Sequence, residues 1–424
     1  MHFGYRVVAA LVLTSFIPLS LALSCAGIFY PSLSAYLDVE PGFLSYYTSI
    51  LWLATLLTLP IMGNILDKGD ARVCMTAAVA IITVTFVWLS FTSSVWQFFI
   101  AAFAMGISVG MLLFLAPSTL INRWFHKRAG FYLGIAMAFT GIGGVVFSSI
   151  GGMLIESIGW SMTYIVFAIL SACTIPATLF MVSSHPKDKG LLPVGLDATE
   201  SEQESFEPEG ISASQAFRMP VFYIICIMSL VLSIGMYMYF MIPSYSTNLA
   251  IGIEFPLLGA TASSVAMAGQ TISKLVLGSI GERIPQTATI TALSIGILGV
   301  MMFMLFDDSI PIFYASALFF GIYYGITNVM TPIFTRLCFG VKDYARIYSR
   351  VSTVTSIGNV AAAFIWGTII DATGSYMPTF TGIVALMAIT ILLVIAIGVA
   401  RKRLLPTPSN HDLGESGASN APAQ

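Results

Sequence analysis

The sequence predicts an all-α membrane protein in which twelve transmembrane helices form two homologous six-helix bundles. Three observations carry this: composition, a succession of apolar stretches long enough to cross a bilayer, and a pattern of glycine, proline and charge that repeats along the chain. Of the 424 residues 57% are hydrophobic and 9% charged, with a mean hydropathy of +0.90. That overrules the two or three soluble domains that length alone would suggest. Apolar stretches of about 20 residues, the length a hydrocarbon core requires, run at 7–29, 43–65, 73–93, 95–118, 129–150, 160–182, 220–243, 257–281, 286–306, 311–334, 347–370 and 378–400.

The first stretch is longer than a signal-peptide core and has no Ala-x-Ala cleavage site, so it stays as the first helix. It carries Ser20 and Ser24 on an apolar background and leads through Tyr30 and Pro31 into a loop. Orientation follows from loop charge, because Lys and Arg accumulate in short cytoplasmic loops. Of the 18 Lys and Arg residues, all but Lys274 fall at the termini, in even-numbered connections or at the helix ends beside them. The odd-numbered connections carry acids only: Asp38, Glu40, Glu156, Glu254, Asp307, Asp308 and Asp371. Both termini are therefore expected to be cytoplasmic, in a multi-pass protein of the plasma membrane.

Segment two closes in GNILDKGDAR, Gly63 to Arg72, and segment eight in GSIGER, Gly278 to Arg283. Both read glycine, three residues, an acid, then a base, at an offset of 215 positions. The same offset takes Gly106, Gly110 and Pro117 of segment four to Gly321, Gly325 and Pro332 of segment ten. It also takes Gly143 to Gly358, and Gly152, Glu156 and Gly159 to Gly367, Asp371 and Gly374. Four places in one register identify two homologous halves. The chain then divides into a first bundle, 1–182; a cytoplasmic linker, 183–218; a second bundle, 219–403; and a tail, 404–424. The linker holds the acid run Glu200, Glu202, Glu204, Glu207 and Glu209 and reads as solvated, and the polar tail is expected to be disordered.

The chain is expected to be neither an enzyme nor a pump or channel. There is no Walker loop, metal cluster or catalytic constellation, and no cofactor is expected. Cys25, Cys74, Cys173, Cys226 and Cys338 are odd in number and scattered, which suggests neither disulfides nor a metal site. Gly106, Ser108 and Gly110 match a nucleophile elbow. That motif needs a strand-to-helix turn and a histidine partner, whereas His2, His126, His185 and His411 all lie outside the apolar stretches. The small residues read instead as a helix-packing face. The basic clusters read as topology signals, so no nucleic-acid partner is expected.

Lys274 places a formal charge deep inside an apolar stretch. If segment eight stops near Glu282, Lys274 lies about 12 Å above that end at 1.5 Å per residue, near the middle of a core about 30 Å thick. A lysine there costs roughly 2.5–3.5 kcal/mol on insertion scales, so it should face a wet cavity or a partner. Gln270 is four residues earlier and shares its face, so the two together suit a carboxylate. The alternative is a structural lysine, neutral or bonded to helix carbonyls. Tyr237, Tyr239, Tyr245 and Asn248 in segment seven, and Tyr323, Tyr324 and Asn328 in segment ten, are further candidates to line a cavity, although interfacial belts also use tyrosine. Ser352, Thr355, Ser356 and Asn359 make one stripe on segment eleven, as helix glue or as cavity lining. Arg350 lies about 200° around the helix from Ser352 and points away from that stripe.

Two parallel six-helix repeats with a site between them at mid-membrane form the architecture of a major facilitator transporter. Gly63, Asp67, Lys68 and Arg72 resemble the signature loop of that superfamily, and Glu282 with Arg283 its second copy. Where the usual glycine follows the acid by three residues, this chain has Asp70 and Pro285. Asp67, Lys68, Arg72, Glu282 and Arg283 then read either as a solvated rim or, with the resemblance, as a cytoplasmic gate that closes while the cavity faces outward. A narrower resemblance, to the monocarboxylate and oxalate/formate branch, rests on RWFHKRAGFYLGIAMAFTGIGG (Arg123 to Gly144), HPKDKGLLPVG (His185 to Gly195) and a basic residue four before the glycine of segment eight. With Lys274 the one formal charge inside the helices, best offset by an anion that comes and goes, the expectation is a monomeric secondary carrier of a small organic anion, a monocarboxylate first, an oxalate-like dicarboxylate second and a neutral or cationic solute third, with a transport-dead receptor last. Position 270 is Gln where those relatives often carry an acid. The expectation is therefore antiport of anions, or symport in which Lys274 itself takes and gives the proton. A dicarboxylate would imply a second cation on segment eleven, where Arg350 stands facing the wrong way.

Overall fold

The computed structural model describes residues 2–39, 41–44, 46–196, 210–255, 257–306 and 308–404. The linker's acid run and the expected disordered tail fall outside the described residues. Ten helices among the described residues are long and apolar enough to cross a membrane, and two features reconcile that number with twelve. The 53-residue helix Ala129–Met181 has Gly159 inside it at φ 83° and ψ 162°. Only glycine adopts that backbone readily, so two spans, 129–158 and 160–181, run end to end. Leu258–Ile280 has 23 residues, enough to span, but Gln270, Thr271, Ser273 and Lys274 fall within five positions and make it too polar to count on apolarity.

The twelve spans are α1 Phe3–Ser24, α2 Tyr46–Lys68, α3 Ala71–Ser90, α4 Val95–Trp124, α5 129–158, α6 160–181, α7 Pro220–Ser246, α8 Leu258–Ile280, α9 Pro285–Leu305, α10 Ile310–Phe339, α11 Tyr344–Thr373 and α12 Met377–Leu404. The two residues standing in place of the signature glycines both begin helices. Asp70 caps α3 by accepting from Arg72 N at 2.9 Å, and Pro285 is the first residue of α9, where its missing N–H costs nothing.

The first and fourth helix of each half are broken. α1 widens to a π-turn at Ser15–Leu19, around Pro18, and α4 at Gly110–Leu115, just before Pro117. α7 is interrupted at Tyr237 and α10 at Gly325. Gly110 and Gly325 are counterparts in the repeat, so the halves share a break as well as a sequence pattern. In a bilayer a freed carbonyl needs a new donor, and side-chain donors bond carbonyls beside each break. Ser20 Oγ donates to Ser15 O at 2.8 Å, and Ser118 Oγ to Phe114 O at 2.7 Å. Tyr323 Oη donates to Leu232 O at 2.8 Å, Trp366 Nε1 to Ile234 O at 2.9 Å, and Ser273 Oγ to Ile322 O at 2.7 Å.

Glycines seat the two halves against each other. A Cβ on Gly278 of α8 would lie 2.5 Å from Gly130 O and 2.8 Å from Gly134 Cα of α5. A Cβ on Gly63 of α2 would strike Ser349 of α11 and come within 3.1 Å of Ala345 O. These are the same contact made twice, since Gly278, Ala345 and Ser349 stand 215 positions after Gly63, Gly130 and Gly134. Both lie toward the end of the spans that carries the basic connections, here the basic face. α11 packs on α7 beside its serine stripe, where a Cβ on Gly358 would strike Ser233 and Ser229 Oγ donates to Val351 O at 3.5 Å; of the stripe itself Ser352, Thr355 and Ser356 are buried and Asn359 is half-buried. Arg350 is exposed.

Candidate substrate site and gate

Among the described residues Lys274 is the one charged side chain that is buried, at 1% exposure. Counted on the observed helix it sits about 9 Å from the Ile280 end, somewhat toward the basic face from the helix middle. Its Nζ donates to Thr140 Oγ1 of α5 at 2.8 Å, and Thr140 Oγ1 in turn donates to Met137 O at 2.7 Å. The ion pairs among the described residues join Arg123 to Asp67 and Arg336 to Glu282. Lys274 is thus held by a neutral hydroxyl from the other half of the molecule. Close backbone approach makes that possible: a Cβ on Gly134 would strike the Lys274 carbonyl, and one on Gly141 would strike Thr271 Oγ1.

Gln270, one turn earlier, is 3% exposed. Its Nε2 lies 2.6 Å from Met267 Sδ, and its Oε1 is buried with no hydrogen-bond partner. Lys274 and Gln270 therefore share the face that meets α5, one offering N–H groups and the other an unused acceptor.

The tyrosines and asparagines separate into two groups. Tyr324 is half-buried with its ring 5.2 Å from that of Tyr239, beside the α7 and α10 breaks, and Asn328 is half-buried one turn further on. Next to them Gly325 packs on α8, where its Cβ would lie 2.7 Å from Ser273 Cβ and 3.0 Å from Gln270 O. Tyr245 instead belongs to an aromatic cluster with Phe303, Phe313, Tyr376 and Phe380, and its Oη donates to Phe303 O at 2.9 Å. Asn248 is exposed, with Nδ2 on Ser244 O at 2.8 Å.

At the basic face the two signature acids are engaged by arginines of other helices. Asp67 pairs with Arg123 at the end of α4 at 3.5 Å, and Arg123 also donates to Leu66 O at 3.3 Å. Glu282 pairs with Arg336 at the end of α10 at 3.0 Å and accepts from Gly130 N at 2.8 Å. That second bond places a carboxylate on the first turn of α5, where the helix dipole favours negative charge. Arg336 continues across the interface, donating to Phe125 O at 3.3 Å and His126 O at 2.9 Å. Lys68 and Arg283 are exposed, and Arg72 Nε is buried without a partner. His185, beyond α6, is held below the ordinary imidazole value of 6.5, chiefly by burial and then by Arg123.

Sequence reasoning passed over Thr140, Arg123 and Arg336. Arg123 and Arg336 are 213 positions apart, two short of the repeat offset, so the repeat does not mark them as counterparts. Thr140 is a hydroxyl among several on α5, and only the fold shows which one meets Lys274.

A family model described as the Major Facilitator Superfamily matches residues 12–335 and, overlapping these, 250–422. Among solved structures the chain is similar to the proton:xylose symporter XylE bound to 6-bromo-6-deoxy-D-glucose, with a TM-score of 0.73 at 11% identity over 93% of this chain and 94% of that one. It is also similar to the human organic anion transporter MFSD10 (TETRAN), with a TM-score of 0.69 at 14% identity over 92% of this chain and 99% of that one. At such identities the likeness is one of fold. A curated relative, the uncharacterized transporter ESBP6 of Saccharomyces cerevisiae, is 28% identical over 130 residues, which are 29% of this chain and only 19% of that protein's length.

Proposed function

The chain belongs to the Major Facilitator Superfamily, a family of non-enzymatic membrane transporters, and from that premise we propose that it carries a small organic monoanion, such as a monocarboxylate, by alternating access. The observation that carries this reading is Lys274, fully buried between the halves and bonded to a neutral hydroxyl. A buried cation is strongly favoured by a counter-charge, and a substrate anion that arrives and leaves supplies one without locking the carrier. The Gln270 Nε2 amide, which meets only the weak acceptor Met267 Sδ, and the neighbouring Tyr324 hydroxyl and Asn328 amide are the neutral donors of the recognition surface. The resemblance of HPKDKGLLPVG and of the α5 glycine segment to the monocarboxylate and oxalate/formate branch supports the same choice.

An oxalate-like dianion calls for a second inward cation, and Arg350, the candidate on α11, is exposed. That ranks the dicarboxylate second, ahead of a neutral or cationic solute and of a transport-dead receptor. The basic face is placed on the cytoplasmic side of the plasma membrane in this reading, with Glu282 and Arg336, which reach across to Gly130 N, Phe125 O and His126 O, as its gate. Coupling is anion exchange, or symport with Lys274 as the proton carrier. The deciding experiment is ligand stabilisation by a panel of carboxylates, measured on the wild type and Lys274→Ala. Loss of a buried charged partner predicts about a hundredfold weaker binding or more. Undiminished affinity in the alanine variant sinks the assignment.

A further inference from the structure

The segment HPKDKGLLPVG is used by nothing in the transport site, yet it is fixed to the first half by its backbone. Val194 N donates to Trp124 O at 2.8 Å, and His126 N donates to Val194 O at 3.0 Å, a parallel bridge between the linker and the α4–α5 loop. Upstream, Ser183 O accepts from Trp124 Nε1 at 2.8 Å, and Ser184 Oγ bonds both Asp70 Oδ1 at 3.0 Å and Ala71 N at 2.8 Å. The loop that Val194 holds is the one whose carbonyls receive Arg336 from the other half, at Phe125 O and His126 O.

The other end of the linker repeats the arrangement on the second half. Gly210 bridges Gly340, Ile211 N donates to Phe339 O at 3.1 Å, and Ala213 N to Asp343 Oδ2 at 2.8 Å. Gly340 is the repeat counterpart of Phe125. The symmetry ends at the arginines, because Arg123 stays within its own half, on Asp67 and Leu66 O, while Arg336 crosses.

We infer that the linker strand at Val194 is a positioning element of the gate: by pinning residues 124–126 it aims two carbonyls at Arg336 and so favours the form closed at the basic face. The physical basis is directional. A guanidinium bonds acceptors in a fixed planar fork, so both carbonyls must be held in place, and an unpinned loop loses part of each bond. The inference rests on the family assignment and on no particular solute.

The test is amide hydrogen exchange of the full-length protein in lipid nanodiscs, without ligand, followed at Gly130, which donates to Glu282, and over 276–283. Val194→Pro deletes the donor to Trp124 O, and Val194→Ala keeps both backbone bonds. Gly195→Val is a second route, because Gly195 sits at φ 90° and a Cβ there lies 3.0 Å from Lys127 Cβ. The expected result is about tenfold faster exchange in Val194→Pro and in Gly195→Val, the scale of a lost charge-assisted hydrogen bond, and no change in Val194→Ala. Arg336→Ala, which loses both carbonyl bonds and the pair with Glu282, should rise at least as far, and Val194→Pro should add nothing in the Arg336→Ala background. Ile211→Pro, the same lesion at the mirror position, should leave these amides alone. Additive effects of Val194→Pro and Arg336→Ala, an equal rise in Ile211→Pro, or unchanged exchange in a folded Val194→Pro or Gly195→Val would each overturn the inference.

Discussion

Gly278→Ala should open the basic face, although alanine is the better helix former by about 1 kcal/mol. The new Cβ would stand 2.5 Å from Gly130 O, 2.8 Å from Gly134 Cα and 3.1 Å from Gly134 N. All three are backbone atoms and cannot rotate aside. Ordinary contact begins at 3.4 Å, so α5 and α8 must separate by about 0.9 Å, the difference from 2.5 Å, wherever the halves meet. Overpacking of this kind costs typically about 1–3 kcal/mol, and here it falls only on the form in which α5 and α8 touch. Such a cost shifts a two-state equilibrium by about 5- to 150-fold. Spin labels at Lys127→Cys and Lys342→Cys, two exposed sites on opposite halves, placed in a background without the native cysteines, would report it as a rise of at least about fivefold in the ratio of long to short distances. Gly152→Ala is the control, since a Cβ there meets nothing within 4 Å. An unchanged distance distribution in Gly278→Ala, or an equal shift in Gly152→Ala, refutes the reasoning.

Three further outcomes follow from the site and its surroundings. Thr140→Val leaves Lys274 Nζ without its acceptor and should lower thermal stability by about 1–3 kcal/mol, whereas Thr140→Ser keeps the hydroxyl and should not; equal melting of the two variants argues against the bond. If Lys274 carries the coupled proton, Lys274→Arg should bind anions yet lose uptake driven by a pH gradient, because arginine does not deprotonate in proteins; strong pH-driven uptake in that variant excludes the lysine relay. His185 should titrate below 6.5 in an NMR experiment, since burial and Arg123 both disfavour its charged form. A base lowered on folding contributes stability that is complete above its unfolded value and is lost as pH falls through the folded one, so the His185 contribution to folding stability should fall on the acid side of 6.5 and not on the alkaline side.

Architecture was legible in the chain because it is written in one-dimensional quantities: runs of apolar length, loop charge, and a register of 215 positions that reappears as paired contacts, Gly63 on Ser349 and Gly278 on Gly134. Lys274 was legible for the same reason, since a charge inside an apolar run announces itself. Its partner was not. Thr140 is one hydroxyl among many on α5, and the choice depends on how deeply Gly134 and Gly141 let α8 settle. Tyr245 shows the converse: a polar group in a helix carries no sign of whether it faces a neighbouring half or, as here, the aromatic rings of Phe303, Phe313 and Phe380.

The residues proposed as the gate show where a repeat misleads. Symmetry of sequence marks Asp67 and Glu282 as equivalents, and both do take an arginine from the fourth helix of their own half. Their situations differ, because Glu282 also accepts from Gly130 N across the interface, and Arg336 continues to Phe125 O and His126 O. Removing Arg123 would therefore weaken one half from within, while removing Arg336 would weaken the junction between halves. Those are separable effects, the first read in stability and the second in the population open at the basic face. A carrier that must close and reopen one face needs bonds of the second kind to be few and directional. A single arginine aimed at two backbone carbonyls meets that requirement better than the exposed bases Lys68 and Arg283, whose attraction to the acids solvent would screen.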